Sequence, residues 1–246
     1  MFKHLHRASL LACLVSSNAL AGYYPMYASW DQPDGLGSAI TLTYSYSNLL
    51  DGGIVDRAGK SFSAAILRSA FEQAFTDYAA VLPFHFVEVS DFGPLPETGE
   101  YDPTGLADIR IGVVPNIRDA NAYAYFPQNT VTSGLAGDVI FNGGRFGFGW
   151  SPVLFYAVAQ HELGHSLGMG HYIYSDAPEN FTLSNADYAG PVYPLNSDMI
   201  TALQNVYGAG VGSVTPLSAT PVPEPGTWAL LLAGLSMLLL RERKST

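Results

Sequence analysis

Residues 151–171 read SPVLFYAVAQHELGHSLGMGH, and this stretch predicts the central helix of the fold and the turn that ends it. Ser151-Pro152 is typical of a helix start, because serine caps free amides and proline lacks only an N–H that has no partner there. The apolar residues that follow predict a helix continuing to Leu167. Gly168 tolerates a positive φ and therefore predicts an abrupt end to that helix.

Three histidines and one glutamate of this stretch have the spacing of a metal site. His161 and His165 are four residues apart, so on a helix both imidazoles project from one face and can occupy neighbouring corners of a zinc tetrahedron. After the turn at Gly168, His171 can return as a third ligand. Three protein ligands leave one position open, which is typical of a catalytic zinc site. Glu162 lies where its carboxylate can reach a metal-bound water.

Two other interpretations of this pattern are an ordinary amphipathic helix that carries histidines and a metal site used only for binding or regulation. Five fixed residues match by chance on the order of once in 10⁵ sequences of this composition. A purely structural site does not need a non-ligand carboxylate at Glu162. The pattern therefore favours catalysis.

The remaining body of the chain predicts an α+β domain, a twisted sheet with two long helices. Residues 61–82 have apolar side chains at helical spacing and are followed by Pro83. Four segments have the patterns of strands: 39–47, 84–89, 107–114 and 138–142. His85 falls in one of these strands and is interpreted as a structural residue.

Composition excludes several functions. Charged residues make up 13% of the 246, and the formal net charge is −10, so recognition of nucleic acid is disfavoured. The hydrophobic fraction of 48% allows a sizeable core and excludes wholesale disorder. Cys13 is the single cysteine, so neither an intramolecular disulfide nor a cysteine-based zinc knuckle can form.

Residues 1–21 are predicted to be a signal peptide. Lys3 and Arg7 precede an apolar stretch, and Ala19-Leu20-Ala21 is a small-x-small cleavage site for signal peptidase. A buried first helix and lipoprotein processing at Cys13 are the alternatives. Cleavage after Ala21 would leave a cysteine-free mature chain, with residues 22–208 as the folded domain.

The C-terminal region has three predicted parts. Residues 209–221 are rich in Gly, Ser, Thr and Pro and are predicted to be a flexible linker. Val222-Pro223-Glu224-Pro225 follows, and then an apolar run of 13 residues, 228–240, which would span about 20 Å as a helix. Positive residues after an apolar run behave as a stop-transfer anchor, whereas a C-terminal core helix would not be apolar on every face.

Residues 222–246 resemble the PEP-CTERM sorting signal of Gram-negative bacteria, which combines Pro-Glu-Pro, an apolar run and a basic tail. The resemblance implies transient anchoring in the inner membrane and processing by an exosortase-type enzyme. It also implies release towards the cell surface, the exopolysaccharide matrix or the medium.

The pattern H-E-x-x-H-x-x-G-x-x-H resembles the metzincin zinc endopeptidases, and softer matches to matrixins and serralysins flank it. These are Trp30, Leu42-Thr43-Tyr44, Ala107-Asp108-Ile109-Arg110-Ile111, Ala124-Tyr125-Phe126-Pro127, 136–142 and 197–208. The resemblance implies a mostly parallel sheet with an antiparallel edge strand above the cleft. By that resemblance Gly137, Asp138, Val139, Ile140 and Phe141 form this edge strand, and substrate binds to it as an added antiparallel strand.

The sequence departs from these families at the Met-turn. Pro191-Val192-Tyr193-Pro194 matches the expected segment with Val192 in place of methionine, while Met199 fits the final helix better. Tyr193 is interpreted either as packing beneath the metal or as a zinc ligand or oxyanion stabiliser. The absence of a cysteine other than Cys13 excludes a cysteine-switch form of latency.

An acidic group could bind Ca²⁺ through oxygen ligands, although a solvated acidic loop is the favoured interpretation; its members are Asp91, Glu97, Glu100 and Asp102.

The expected function is a secreted endopeptidase with one catalytic Zn²⁺ held by His161, His165 and His171. Glu162 would take a proton from water and deliver it to the leaving amine of a protein or peptide substrate. The alternative is a surface or exopolysaccharide-matrix protein with a vestigial, non-catalytic zinc site.

Overall fold

A computed structural model describes residues 24–91, 107–117, 120–127, 133–143, 149–171 and 195–217. These residues form a six-stranded sheet with the strand order β4-β5-β3-β1-β2-β6, together with three helices. The elements are β1 (Ile40–Ser45), α1 (Ala64–Ala79), β2 (Phe84–Glu88), β3 (Ile109–Val114), β4 (Ala122–Ala124), β5 (Val139–Asn142), α2 (Pro152–Ser166), α3 (Ser197–Tyr207) and β6 (Ser213–Thr215). All neighbouring strands are parallel except β4 and β5. The predicted α+β class, with a mostly parallel sheet and an antiparallel edge strand, is confirmed.

Helix α2 begins at the predicted Ser151-Pro152, whereas α1 begins three residues inside the predicted segment 61–82. Ser63 caps α1 by accepting a hydrogen bond from the Ile66 amide, and Ser151 caps α2 in the same way from the Leu154 amide. Helix α2 is buried from Phe155 to Gln160 and again from Glu162 to Ser166, because α1 and the sheet cover it on several sides. A helix enclosed to this extent holds its side chains in fixed directions.

Aromatic side chains join the helices to the sheet. Phe71 of α1 lies edge-on to Phe141 of β5 and to Phe155 of α2, with ring centroids 5.7 and 6.0 Å apart. Phe75 packs on Tyr44 of β1 with a centroid distance of 4.4 Å. These rings are fully buried, so α2 is fixed relative to the sheet by dense packing.

The prediction that residues 137–141 form the outer edge of the sheet is wrong. Strand β5 pairs with β3 on one side and with β4 on the other, so β4 is the edge strand. The physical reason is that Val139, Ile140 and Phe141 are all fully buried, which suits a strand with neighbours on both sides. The shorter β4, with its half-buried side chains, occupies the exposed position instead.

The prediction of a flexible linker beginning at residue 209 is also wrong for its first part. Residues 213–215 form β6, which pairs in parallel with β2, and the Leu217 amide donates a hydrogen bond to Glu88 at 2.9 Å. The glycines that suggested flexibility permit close approach instead. A Cβ on Gly210 would lie 2.8 Å from the Pro83 side chain, and one on Gly212 would overlap the carbonyl oxygen of Phe84.

Several predicted features lie outside the described residues: the signal peptide at 1–21, the sorting segment at 222–246, Val192, Tyr193, and most of the acidic group. Among the residues that the structure describes, no helix combines the length and apolar character needed to cross a membrane. His85 lies in β2 as predicted, where its Nδ1 is 2.9 Å from the Ser213 hydroxyl of β6.

Candidate metal centre

The three histidines of the motif converge in space. Helix α2 carries His161 and His165, whose Nε2 atoms are 3.0 Å apart, and the Nε2 of His171 lies 3.2 Å from that of His165. One ligand atom from each of the three histidines lies within 4.8 Å of the others. The structure therefore brings together the histidines that the sequence singled out.

The donor set fits a zinc ion. Zinc–nitrogen bonds of about 2.0–2.1 Å in a tetrahedron place neighbouring nitrogens about 3.3 Å apart, close to the observed spacing. The Nδ1 of His165 lies 2.6 Å from the carbonyl oxygen of Met169, and a carbonyl can only accept, so this nitrogen carries the proton. The lone pair of His165 is consequently on Nε2, which faces the other two histidines.

The histidines are held in the neutral form that a metal requires. Burial, opposed in part by the hydrogen bond to Met169, lowers the pKa of His165 to about 4. The pKa of His161 is lowered by burial and by the two neighbouring imidazoles. At neutral pH both rings therefore present lone pairs.

Glu162 is a buried carboxyl group beside the histidines in the sequence. Its side chain is 5% exposed, and its Oε2 accepts no hydrogen bond from any described residue. Burial raises the pKa of Glu162 to about 8. Buried polar atoms nearly always have partners, so a carboxyl oxygen without one, on the helix that carries two of the three convergent histidines, fits a site that receives a polar ligand.

The turn between His165 and His171 is held by an unbroken series of hydrogen bonds. Every carbonyl oxygen from residue 166 to 169 accepts one, and the donors come from separate parts of the chain. The pairs are Trp30 Nε1 to Ser166 at 2.9 Å, the Tyr207 hydroxyl to Leu167 at 2.7 Å, the Tyr27 amide to Gly168 at 2.8 Å, and His165 Nδ1 to Met169 at 2.6 Å. Carbonyls at a helix end that would lack partners are thereby satisfied.

Gly168 is needed at this turn for two reasons. Its φ is +94°, as the sequence predicts for a residue that ends the helix abruptly. In addition, a Cβ at this position would overlap the carbonyl oxygen of Ala28. The second reason cannot be inferred from the motif, because it depends on a segment 140 residues earlier in the chain.

Two of the residues predicted to bind substrate make contacts inside the domain. The Gly137 carbonyl accepts a hydrogen bond from the Ser166 hydroxyl at 2.6 Å, which joins the residue before β5 to the end of α2. Asp138 forms an ion pair with Arg110 at 2.6 Å, and both side chains are 1% exposed. These two side-chain contacts stabilise the packing of β5 against α2 and β3.

Two aromatic residues that sequence reasoning did not assign to the site lie beside it. The Phe126 ring, which follows β4, is edge-on to His165 with a centroid distance of 5.8 Å. Tyr27 packs on Phe126 at 5.3 Å and is 56% exposed. Phe126 belongs to the segment 124–127 that resembles the matrixins and serralysins. No motif or residue spacing in the sequence points to Tyr27. Met199 lies in α3, in agreement with its assignment to the final helix.

Comparison with known proteins finds relatives of one kind. The chain is 30% identical to matrix metalloproteinase-18 of Xenopus laevis over 157 residues, which are 62% of this chain and 31% of the relative. It is 37% identical to human matrilysin over 115 residues, 42% of this chain and 41% of the relative. It is 30% identical to the interstitial collagenase of Sus scrofa over 154 residues, 60% of this chain and 29% of the relative. The matched region therefore spans about a third of the length of these relatives.

The C-terminal region matches a family model described as the PEP-CTERM protein-sorting motif, over residues 221–244. This motif indicates an exported protein that an exosortase sorts. The fold, the histidine cluster and the relatives together define a metzincin-like domain. The chain thus has a metzincin-like domain that is similar to part of the matrix metalloproteinases, together with a PEP-CTERM sorting motif near its C-terminal end.

Proposed function

We propose that this protein is an exported zinc-dependent endopeptidase. The observation that carries the proposal is the convergence of His161, His165 and His171. Glu162, which follows His161 in α2, adds a buried carboxyl group whose Oε2 has no hydrogen-bond partner among the described residues. Relatives named as metalloproteinases support the same assignment. Residues 1–21 would be removed by signal peptidase, and an exosortase-type enzyme would process the sorting segment.

Each residue of the site would have a separate role. His161, His165 and His171 would hold Zn²⁺ through their Nε2 atoms. When bound, the ion would supply Lewis-acid polarisation of a carbonyl group and would increase the acidity of water. Glu162 would accept a proton from the attacking water on its free carboxyl oxygen and pass it to the amine that leaves.

Burial suits Glu162 to this exchange of protons. A carboxyl group with a pKa near the working pH gives up a proton as readily as it takes one, and burial moves Glu162 in that direction. The enclosing helix packing also prevents the side chain from turning away to solvent. The raised pKa of Glu162 therefore supports its proposed role as general base and acid.

The peptide substrate would bind along β4. Among the described strands it is the outer edge of the sheet, and its main-chain groups on that side pair with no other described strand and would accept an added one. Because Phe126 follows β4 directly and contacts His165, a peptide along this edge would pass the metal centre. This placement replaces the one that the sequence suggested for residues 137–141.

The proposal is tested with the purified full-length chain and a peptide library. Glu162→Gln removes the proton acceptor but preserves the size of the side chain, so kcat/KM should fall by about 10³-fold while one zinc ion per chain stays bound. Glu72→Gln, the same change on α1 away from the histidines, serves as the control and should leave turnover unchanged. A chelator should abolish cleavage by the wild-type chain.

A vestigial zinc site in a surface or matrix protein predicts a different result. The wild-type chain would then bind zinc but cleave no member of the library. Turnover that survives Glu162→Gln undiminished would contradict the assigned role of this residue, and turnover that survives chelation would contradict the role of the metal.

A further inference from the structure

The segment 25–30 near the start of the described chain, called here the N-terminal segment, runs alongside the metal-binding turn. The Tyr27 amide donates a hydrogen bond to the Gly168 carbonyl at 2.8 Å, and the Gly170 amide donates to the Pro25 carbonyl at 2.7 Å. Met26 lies opposite Met169 in an antiparallel bridge. The N-terminal segment thus adds a short antiparallel strand to residues 168–170.

The third histidine depends on these contacts more than the other two do. His161 and His165 are fixed by the hydrogen-bond ladder of α2, in which each amide bonds to a carbonyl four residues earlier. His171 comes after the helix has ended, where no such ladder exists. The hydrogen bond from Gly170 to Pro25 is one residue away from His171 and restricts the direction in which the chain carries its side chain.

Close packing restricts the turn further. A Cβ on Gly170 would lie 2.9 Å from Cγ of Pro25 and would press on the ring of Tyr27. Trp30, at the other end of the N-terminal segment, donates from its indole nitrogen to the Ser166 carbonyl at 2.9 Å. The N-terminal segment therefore forms hydrogen bonds with both ends of the turn.

We propose that the N-terminal segment is the positioning element for His171, so that the affinity of the site for its metal depends on the hydrogen bonds from Tyr27 and Trp30. The inference rests on the proposed zinc site and identifies what completes it. Residues that orient metal ligands without touching the metal typically contribute ten- to hundred-fold to affinity. A segment that served only the stability of the fold would leave the affinity unchanged in every variant that still folds.

The test uses Co²⁺ as the probe, since its visible absorption reports the number and geometry of its ligands. Tyr27→Pro in the full-length chain removes the amide hydrogen that bonds to Gly168. We expect Co²⁺ affinity to fall about ten-fold and the absorption band to change, because His171 no longer holds its position. Ser29→Pro is the matched control, because the Ser29 amide donates no hydrogen bond within the described residues, and its affinity should equal that of the wild type.

Two further variants separate the possible causes. Tyr27→Ala keeps the amide but loses the ring that packs on Phe126 and Gly170, and its affinity should fall less than that of Tyr27→Pro. Trp30→Phe keeps an aromatic side chain but loses the indole donor, and its affinity should fall by about three- to ten-fold. Thermal unfolding in the presence of a chelator checks that each metal-free variant is folded. If Tyr27→Pro does not fold, Trp30→Phe decides the question.

The outcomes distinguish this inference from the proposed function. If the wild-type chain binds no Co²⁺, the zinc site itself is wrong and the inference falls with it. If the wild type binds Co²⁺ and the folded Tyr27→Pro and Trp30→Phe variants bind it equally well with an unchanged spectrum, the inference is overturned and the zinc site stands. Weakened binding in both variants, with Ser29→Pro unaffected, supports it.

Discussion

The two halves of the histidine motif are held by different kinds of interaction. In the helix half, 161–166, local hydrogen bonds of α2 fix His161, Glu162 and His165. In the turn half, 167–171, partners come from the N-terminal segment and from α3. Local spacing therefore determines the first half, whereas the second half exists only when distant parts of the chain have assembled around it. The following predictions test this difference, from the largest expected effect to the smallest.

Gly168→Ala should have the largest effect. Alanine at this position would have to adopt a φ near +94°, and its Cβ would overlap the Ala28 carbonyl oxygen. We expect the metal-free chain to lose about 3 kcal/mol of unfolding free energy and zinc affinity to fall by about 100-fold. Urea denaturation and competition with a chromogenic chelator measure the two quantities.

Gly212→Ala provides the matched control for this substitution. It also places a Cβ against a carbonyl oxygen, that of Phe84, but directly before β6, which lies at the opposite edge of the sheet from β4. It should destabilise the fold while leaving zinc affinity within about three-fold of the wild type. Equal losses of affinity in both variants would show that the turn half has no special dependence on Gly168.

Burial of Glu162 in the helix half should make the free energy of unfolding depend on pH. Burial raises the pKa of Glu162 from 4.5 to about 8, so between these values the folded chain holds a proton that the unfolded chain releases. Stability of the metal-free protein should therefore fall as the pH rises through this window. Between pH 6 and pH 8 the wild type should lose about 2 kcal/mol more than Glu162→Gln, measured by urea denaturation with a chelator present. Parallel pH profiles for the two chains would contradict the burial of this carboxyl group.

Two buried tyrosines, each of which donates a hydrogen bond to a carbonyl of α2 or of the turn, should show the smallest difference in zinc affinity. The Tyr207 hydroxyl donates to the Leu167 carbonyl in the turn half, and the Tyr78 hydroxyl donates at 2.9 Å to the carbonyl of Gln160, the α2 residue just before the helix half. Replacing either with phenylalanine should cost about 1 kcal/mol of unfolding free energy. Only Tyr207→Phe should also weaken zinc binding, by about three-fold, because the Gln160 carbonyl keeps its partner in the helix ladder. Equal zinc affinities in the two variants would show that α3 does not position the turn.

Sequence reasoning succeeded where the signal was local. Ser151-Pro152, the histidine spacing and Gly168 each act through residues within a turn or two, and the structure has the predicted helix, the convergent histidines and the positive φ. It failed on the edge of the sheet, because the choice between β4 and β5 depends on which strand finds neighbours on both sides. A resemblance can identify the segments that form a sheet without fixing their order in it.

The C-terminal end of the domain was misjudged for a similar reason. Glycine, serine and threonine at 209–215 have the composition of a flexible linker, and nothing local distinguishes them from one. In the structure Gly210 and Gly212 allow the backbone to lie against Pro83 and Phe84, and β6 extends the sheet. Whether glycine brings freedom or close approach depends on the surface that it meets.

The sequence by itself determined the helix half of the motif, since the spacing of His161, Glu162 and His165 on a helix leaves little freedom in where their side chains point. It also determined the α+β class through its periodic segments. Only the tertiary structure decided how the turn half is held, because the partners of Ser166, Leu167 and Gly168 come from residues 27, 30 and 207. Contacts between residues so far apart leave no periodic trace in the sequence, and they form only once the chain has folded.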